Sequence, residues 1–431
     1  MDSTYQDCTL LHVDADGFFA GVEQALTPAL RGKPVVTGSE RGIIAAASHE
    51  AQAQGIKRGL ELHEVRQNCP GLVVLPSDYE TYSLYSRHLY GILRRFTPCV
   101  EEYSIDEAFA DLTGCGGVLG HPLESVAKQL RMAVSEEMGL TVSVGISLTK
   151  TLAKLCSKFR KPNGQTILRR EHVPLMLKRT PIAKVWKLGS ASAAKLQSHG
   201  ISTACDFTRM DESLVLRLLH KPGHETWREL RGERVFALDM ERKQTYDTMM
   251  KSHTFSPPNG DRRFVFAEAL NNMTTAMAKL RRHNHLAKEI GLCLRFKDYA
   301  GQSASASLTA PTAHDCEAAP HLRTLFDALF VPGQLYRSTL VWLGGLVSEH
   351  HRQLDLFEEG PQRQRYGKLD EAVDGINRHY GQRTVAPATL LDRRLKPYHS
   401  RDATPDRYDT LQTGESVRHL AIPRMTLGNP V

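Results

Sequence analysis

Acidic residues stand at the ends of two short β-prone segments of this chain. Residues 9–13 run directly into Asp14 and Asp16, and a second pair of β-prone segments flanks Asp106 and Glu107. An ionised carboxylate in an apolar strand is unfavourable unless a cation or a partner compensates it. Two Mg²⁺ ions about 3.5 to 4 Å apart stabilise the attacking and leaving oxygens of an in-line phosphoryl displacement. The pattern therefore predicts two Mg²⁺ ions bridged by Asp14 and Asp106.

Strand periodicity leaves part of this metal site open. A period of two places Asp14 and Asp16 on one face of a strand, whereas Asp106 and Glu107 fall on opposite faces. Glu107 joins the site only if the strand bends there. The alternative is that both segments are solvated acidic turns, because short acidic motifs often match by chance.

The elements that must position these acids alternate between strands and helices, which predicts an α+β fold. An amphipathic helix at residues 126–138 precedes a strand at residues 141–146. A second long amphipathic helix, at residues 266–280, precedes a strand at residues 290–296, and the polar residues 239–251 separate the two regions. The chain is therefore predicted to hold an N-terminal α+β region followed by a separate α/β module.

Composition is compatible with a nucleic-acid partner without requiring one. The chain has 55 Lys and Arg against 48 Asp and Glu, a formal charge of +7, with 41% hydrophobic residues. Its eight cysteines are scattered singly, without a CxxC pair or zinc-ligand spacing, which favours free thiols in a reducing cytoplasm. Apolar stretches are far shorter than the roughly 20 residues of a membrane-spanning helix. We therefore expect a cytoplasmic protein.

Four motifs, taken in chain order, resemble the signatures of Y-family DNA polymerases. They are Asp14 with Gly17-Phe18-Phe19-Ala20, Tyr103-Ser104-Ile105-Asp106-Glu107-Ala108, the stretch at residues 145–154, and Lys161-Pro162-Asn163-Gly164. The resemblance covers about residues 9–350 and is to the bacterial DNA polymerase IV or V type. Residues 186–201 and 229–233 are more similar to the catalytic subunit of polymerase V.

The resemblance implies a polymerase right hand with four domains. These are a palm with a mixed or antiparallel sheet and helices, fingers, a helical thumb and an α/β little finger. The implied divisions are palm 1–17 and 86–172, fingers 18–85, thumb 173–240 with a helix-hairpin-helix, linker 241–251, little finger 252–350 and C-terminal tail 351–431.

The same resemblance implies the metal ligands. Asp14, Asp106 and Glu107 would be the catalytic acids that bind two Mg²⁺ ions, and the carbonyl of Ala15 would complete one coordination shell. Asp16, which strand parity leaves open, would not be a ligand.

Nucleotide contacts follow from the resemblance as well. Phe19, next to Phe18, aligns with the bulky steric gate that excludes a 2′-hydroxyl by collision, although an aromatic pair is more often part of a core. Lys161 would contact the triphosphate. His49 and Gln52 stand where the family usually has Tyr and Arg, so weaker nucleotide binding is predicted.

Basic residues are concentrated between positions 262 and 297, where phosphate contacts of a little finger are expected. A solvated helix face is the alternative. The residues singled out as DNA-binding are Arg262, Arg263, Arg281, Arg282, Arg295 and Lys297. Residues 181–201 resemble a helix-hairpin-helix, in which Lys187, Gly189 and Lys195 would approach a phosphate. The hairpin normally has a second glycine where Lys187 stands.

A short motif lies in the polar C-terminal region, where helical spacing is confined to residues 369–380. Gln353, Leu354, Leu356 and Phe357, with Asp355 between them, resemble the pentapeptide with which bacterial polymerases bind the sliding clamp. A segment folding back on its own domain is the alternative.

These features together predict a template-directed DNA polymerase that extends a primer 3′ end, with low-fidelity translesion synthesis in DNA repair and the SOS response. Its expected partners are primer-template DNA, deoxynucleoside triphosphates, a sliding clamp and an activating accessory protein, and the enzyme itself is expected to be a monomer. The alternatives are a catalytically weakened DNA- and clamp-binding accessory protein and a nucleotide cyclase. Primer extension with and without Mg²⁺ separates the three.

Overall fold

The computed structural model describes residues 8–39, 42–115, 122–240, 246–349, 360–380 and 384–393. The chain divides into two compact units between Glu241 and Arg242. Both units combine helices with sheets, so the predicted α+β fold class is confirmed. None of the described helices is long and apolar enough to cross a membrane.

The strands of the first unit form two sheets. In chain order they are β1 (Leu10–Ala15), β2 (Val35–Thr37), β3 (Ala46–Ala47), β4 (Val73–Leu75), β5 (Val100–Ser104), β6 (Glu107–Asp111), β7 (Val142–Ser147) and β8 (Gln165–Ile167). The larger sheet has the order β5-β6-β1-β7-β8 and is called the acid sheet below. Strand β1 lies at its centre and is antiparallel to both β6 and β7. The smaller sheet has the order β3-β2-β4.

Ten α-helices are described in this unit. They are α1 (Phe18–Leu26), α2 (His49–Ala53), α3 (Leu62–Asn68), α4 (Tyr79–Leu93), α5 (Leu123–Met138), α6 (Lys150–Phe159), α7 (Val173–Arg179), α8 (Ser190–Ser198), α9 (Ala204–Thr208) and α10 (Glu212–Leu230). Short 3₁₀ turns occur at Pro28–Leu30, Arg170–His172 and Ile182–Lys184.

Every position of β1 is buried because helices cover both faces of the acid sheet. Leu11 and Val13 belong to a core that α4 and α5 complete, and the alternate position, His12, contacts Ser157 of α6 at 2.7 Å. Helix α6 lies directly on β7, since a Cβ added at Gly145 would come within 2.1 Å of the Ala153 carbonyl oxygen. The sheet is therefore a rigid support for the acids at the end of β1.

The second unit is built on an antiparallel sheet of order β11-β10-β12-β9, with two long helices in its core. The elements are β9 (Thr248–Asn259), α11 (Arg262–Arg282), β10 (His285–Phe296), β11 (Gly301–Thr312), α12 (Asp315–Leu329), β12 (Tyr336–Gly344), β13 (Val347–Ser348), α13 (Gly360–Tyr380) and a 3₁₀ turn at Ala388–Arg393.

Some predicted boundaries differ from the elements. Strand β9 begins at Thr248, so the segment proposed as a linker can extend no further than residue 247. Helix α4 continues from Tyr79 to Leu93 across the proposed boundary between fingers and palm. Helix α13 begins at Gly360, nine residues before the predicted helical spacing. The proposed clamp-binding residues Gln353, Leu354, Leu356 and Phe357 lie outside the described residues.

Helix α13 packs with its charged side inward. Arg363 and Asp370 are buried, while Leu369 and Tyr380 are 58% and 72% exposed. Asp374 accepts two hydrogen bonds from Arg281 of α11, at 2.7 and 2.9 Å. The helix is therefore attached by ion pairs rather than by an apolar stripe, which explains why hydrophobic spacing predicted so little of it.

Candidate active site

Asp14 and Glu107 face each other on neighbouring strands. They are directly paired in the antiparallel register of β1 and β6, which places both side chains on the same face of the acid sheet. Strand β5 ends at Ser104 and β6 begins at Glu107, so the chain turns at Asp106. This turn is the bend that strand periodicity required before Glu107 could join Asp14.

Each of these two carboxylates is bonded to a lysine. Lys161 donates a hydrogen bond to Asp14 Oδ1, and Lys154 donates to Glu107 Oε2 at 2.5 Å. Burial raises the pKa of Asp14 to about 6, with Glu107 adding to the rise and Lys161 opposing it. For Glu107, burial also acts to raise the pKa, but the bond and charge of Lys154 outweigh it and the pKa is lowered. The two lysines offset the charge of the two carboxylates.

Asp106 is oriented differently from Asp14 and Glu107. Its Oδ1 accepts a hydrogen bond from the Ser104 hydroxyl at 2.6 Å, while its carbonyl accepts the N–H of Ala15 at 2.9 Å. Among the described residues, no set of three His, Cys, Asp or Glu side chains is arranged to hold a metal ion. Asp14 and Glu107 nevertheless fit a divalent ion, because both are oxygen donors with an ammonium group where a cation would stand. Asp106 lies in the turn beside them, with its carboxylate bonded to Ser104.

Asp16 has partners of its own. Its Oδ1 accepts the Ser143 hydroxyl at 2.8 Å, and its Oδ2 accepts the Asn163 N–H at 2.8 Å. The side chain is fully buried. Both oxygens are thus engaged in attaching the turn at residues 161–164 to β7, which is a structural role.

The two phenylalanines occupy different environments. Phe18 is 3% exposed and belongs to the core of the acid sheet. Phe19 is partly buried and stacks on Tyr82, with ring centroids 4.3 Å apart. A Cβ at Gly17, whose φ is +56°, would lie 2.8 Å from the Ala47 carbonyl oxygen. Glycine therefore allows the start of α1 to approach β3 closely.

His49 and Gln52 lie near this point on α2. The His49 Nε2 is 3.4 Å from the Thr141 hydroxyl, and the Thr141 carbonyl accepts the N–H of Asp16. Gln52 donates from Nε2 to the Ala47 carbonyl at 2.8 Å and is exposed. The structure thus places both residues on the side of α2 that approaches the start of α1 and the acids.

A cluster of aromatic rings and lysines beside the acids was not predicted from the sequence. The Lys154 ammonium lies 4.5 Å from the ring centre of Tyr103 and 5.5 Å from that of Trp186. Lys150 lies 4.7 Å from the ring centre of Phe109 and forms a buried ion pair with Glu101 at 2.5 Å. Lys150 and Lys154 stand one helical turn apart, which places them on the same face of α6. This spacing could have indicated that both contact the same neighbouring element.

Sequence and structure comparisons identify the family. Residues 13–158 match the impB/mucB/samB family, and residues 247–356 match the C-terminal domain of the same family. DNA polymerase IV of Moorella thermoacetica is 32% identical over 89% of this chain and 96% of its own length. The chain belongs to the Y family of DNA polymerases. DNA polymerase IV 1 of Bacillus subtilis is 29% identical over 89% of this chain and 93% of its own length.

A solved structure supports the fold of this Y-family polymerase. The match is to the Y-family DNA polymerase chimera Dbh-Dpo4(243-245)-Dbh, with a TM-score of 0.66 and 22% sequence identity. It covers 79% of the present chain and 99% of the chimera chain. The predicted polymerase fold is confirmed.

The Y-family chain is a DNA-directed DNA polymerase that carries out translesion synthesis, as predicted. The relatives bear the name DNA polymerase IV, which favours that type over polymerase V. The accessory-protein and cyclase alternatives are not favoured. Membership implies a divalent metal, primer-template DNA and deoxynucleoside triphosphates.

The hairpin residues of this Y-family polymerase adopt a tight turn. Lys187 has a φ of +66°, the left-handed region that glycine usually occupies, so a lysine here takes the conformation of the missing glycine. Its ammonium lies 3.5 Å from the ring centre of Phe236. Gly189 precedes the first turn of α8, which no side chain caps. Lys195 bonds the Leu218 carbonyl at 2.8 Å.

The basic residues of the second unit fall into two groups. Arg263, Arg282, Arg295 and Lys297 are exposed, and Arg262 is half exposed beside Asp327 at 2.6 Å. Arg281 instead bonds Asp374, Asp315 and the Ala313 carbonyl. The guanidinium of Arg281 is therefore already committed within its own unit.

Proposed function

We propose that this Y-family polymerase binds two Mg²⁺ ions through Asp14, Asp106 and Glu107, with the Ala15 carbonyl as a further ligand. The pairing of Asp14 with Glu107 on one face of the acid sheet is the observation that supports it most directly. When bound, the ions would neutralise charge on the attacking and leaving oxygens of phosphoryl transfer. The primer 3′-hydroxyl attacks the α-phosphate, and pyrophosphate leaves.

The chain's own residues would orient this reaction. Ser104 would hold Asp106 until a cation competes for it, and Lys154 would fix one oxygen of Glu107 and leave the other for the cation. Asp14 is buried, and its low-polarity surroundings strengthen the attraction of its carboxylate for a cation.

We further propose that the incoming nucleotide lies against α1 and α2. Phe19, held by Tyr82, would be the steric gate, whereas Phe18 would support it from the core. Lys161 would contact the triphosphate, with His49 and Gln52 at the positions of the usual Tyr and Arg. Gln52 has no charge to offer, so we propose weaker nucleotide binding with the metal site intact.

DNA contacts are proposed at two places. In the first unit they comprise Lys187, Gly189 and Lys195, where the uncapped start of α8 directs N–H groups outward. In the second unit they comprise Arg263, Arg282, Arg295 and Lys297, with Arg262 able to leave its exposed ion pair at little cost. Arg281 is left out because its partners are internal.

The domain divisions and protein partners of this polymerase are also proposed. Palm, fingers, thumb and little finger would follow the divisions given above, with the linker reduced to residues 241–247. Gln353, Leu354, Leu356 and Phe357 would bind a sliding clamp, an accessory protein would activate the enzyme, and the free thiols suit a bacterial cytoplasm.

Primer extension with Asp106→Ala tests the metal site. We expect a loss of at least about 10³-fold in rate with Mg²⁺, while primer-template binding, measured by fluorescence anisotropy, is retained. Glu102→Gln is the matched control, because Glu102 is an exposed acid on β5, four residues before Asp106, and is paired with Arg94. Extension by Asp106→Ala at the parental rate would refute the assignment.

A further inference from the structure

The two lysines that bond the metal-ligand carboxylates differ in their freedom to move. The Lys154 side chain is 6% exposed and the Lys161 side chain 32% exposed. Lys154 is enclosed by the rings of Tyr103 and Trp186. Among the described residues no aromatic ring lies against the Lys161 ammonium, which bonds Asp14 Oδ1 and lies 3.6 Å from Asp16 Oδ1. One cation is fixed, and the other can swing outward.

The backbone beneath Lys161 is held firmly. The N–H of Asn163 bonds buried Asp16, and Arg131 bonds the Asn163 side chain at 2.8 Å. A Cβ at Gly164 would meet the Arg160 carbonyl oxygen at 1.9 Å, so the turn is closely packed. Movement of the Lys161 ammonium must therefore come from rotation of its own side chain, because the backbone of the turn is fixed beside Asp14.

We propose that Lys161 is a displaceable placeholder cation, which occupies the Asp14 oxygen before a nucleotide arrives and transfers to the triphosphate when it binds. This inference rests on the proposed metal site and on the proposed triphosphate contact of Lys161. The ammonium and a divalent ion compete for the same oxygen. A triphosphate, which attracts the ammonium away, thereby opens Asp14 to the metal.

Thermodynamic linkage gives this placeholder a measurable consequence. If removing Lys161 from Asp14 favours metal binding, then nucleotide must strengthen metal binding, and metal must strengthen nucleotide binding by the same factor. Without nucleotide, the acids remain neutralised, and the site has a low affinity for free metal. Lys154 does not act in this way, because its cage keeps it on Glu107.

Electron paramagnetic resonance of Mn²⁺ measures metal binding directly on the full chain, without turnover. At about pH 8, where the carboxylates are ionised, we expect Lys161→Met to bind Mn²⁺ alone at least about fivefold more tightly than the parent. A nonhydrolysable deoxynucleoside triphosphate should tighten Mn²⁺ binding in the parent by more than it does in Lys161→Met. Lys161→Arg, which keeps a cation, should resemble the parent.

Lys158→Met is the matched control, since Lys158 is exposed and its charge acts on Glu107 without bonding it. We expect its Mn²⁺ affinity to stay within about twofold of the parent. Unchanged or weaker Mn²⁺ binding by Lys161→Met, in protein whose melting temperature is unchanged, overturns the placeholder role. If Asp14→Asn leaves Mn²⁺ binding intact, the proposed metal site itself is wrong.

Discussion

The indole of Trp186 donates a hydrogen bond to the Tyr103 hydroxyl across 3.1 Å, and the two rings meet edge to face with centroids 5.6 Å apart. Tyr103 lies on β5, three residues before Asp106, and Trp186 immediately precedes Lys187 of the hairpin. The Lys154 ammonium lies against both rings and bonds Glu107. One aromatic cluster thus joins a proposed DNA contact to a proposed metal ligand.

Trp186→Ala should destabilise the protein, because it removes a half-buried aromatic side chain and a cation–ring contact. We expect the free energy of unfolding to fall by about 3 kcal/mol, and by about 1 kcal/mol for Trp186→Phe, which keeps a ring. Urea denaturation followed by circular dichroism measures both values. Equal losses for the two variants would show that ring packing contributes little.

Arg281 and Arg282 are neighbours in α11 with opposite surroundings, so they form a matched pair. Arg281→Ala should release α13, with faster amide hydrogen exchange in residues 360–380, because it leaves Asp315 and Asp374 without a counter-charge. Arg282→Ala should leave that exchange unchanged and weaken DNA binding with a shallower salt dependence. A loss of DNA affinity confined to Arg281→Ala would contradict this division.

Asp14 should make stability depend on pH in metal-free protein. Its folded pKa of about 6 exceeds its ordinary value of 3.8, so the folded state binds more protons between these values. The contribution of Asp14 to the free energy of unfolding therefore falls as pH rises from about 4 to about 6 and stays lower above that. Relative to the parent, Asp14→Asn should be stabilised by about 3 kcal/mol at pH 7 and by less than about 1 kcal/mol at pH 4. Thermal melts with chelator at both pH values measure this difference.

Phe19→Ala should admit ribonucleotides. The ring is held by Tyr82 at 4.3 Å and Tyr79 at 5.4 Å, so it cannot yield to a 2′-hydroxyl. We expect the preference for deoxynucleotides to fall by at least about tenfold, measured as a ratio of kcat/KM values. Phe326→Leu, a change in the core of the second unit, is the control and should retain the preference.

Gln52→Arg should tighten nucleotide binding. The exposed amide of Gln52 now bonds a carbonyl, whereas a guanidinium gives a charged, two-pronged donor to phosphate. We expect KM for deoxynucleotides to fall by about tenfold, with kcat changed little, in steady-state primer extension. Gln52→Glu, of the opposite charge, should raise KM, and an unchanged KM in Gln52→Arg would place Gln52 away from the triphosphate.

Sequence patterns drew attention to Asp14 and Asp106 because each stands at the end of a β-prone segment. They could not place Glu107, whose position depends on a turn and on the register of β6 against β1. Nor could composition separate Arg281 from Arg282, since counting charges does not reveal which side of a helix faces a partner element. The bonds of Lys161 and Lys154 join residues 147 and 47 positions apart, and such contacts appear only when the sheet is assembled.

The acidic residues of α13 that face Arg281 limit how far the C-terminal unit can be truncated. A protein ending at residue 356, the limit of the family match, would still contain every described strand of that unit. It would lack Asp370 and Asp374, two of the three carboxylates near Arg281. Loss of these carboxylates leaves the partly buried Arg281 guanidinium with fewer counter-charges, which lowers the free energy of unfolding of the unit. The smallest stable version of this unit therefore extends at least through α13, and Leu390 of the following 3₁₀ turn is also buried in its core.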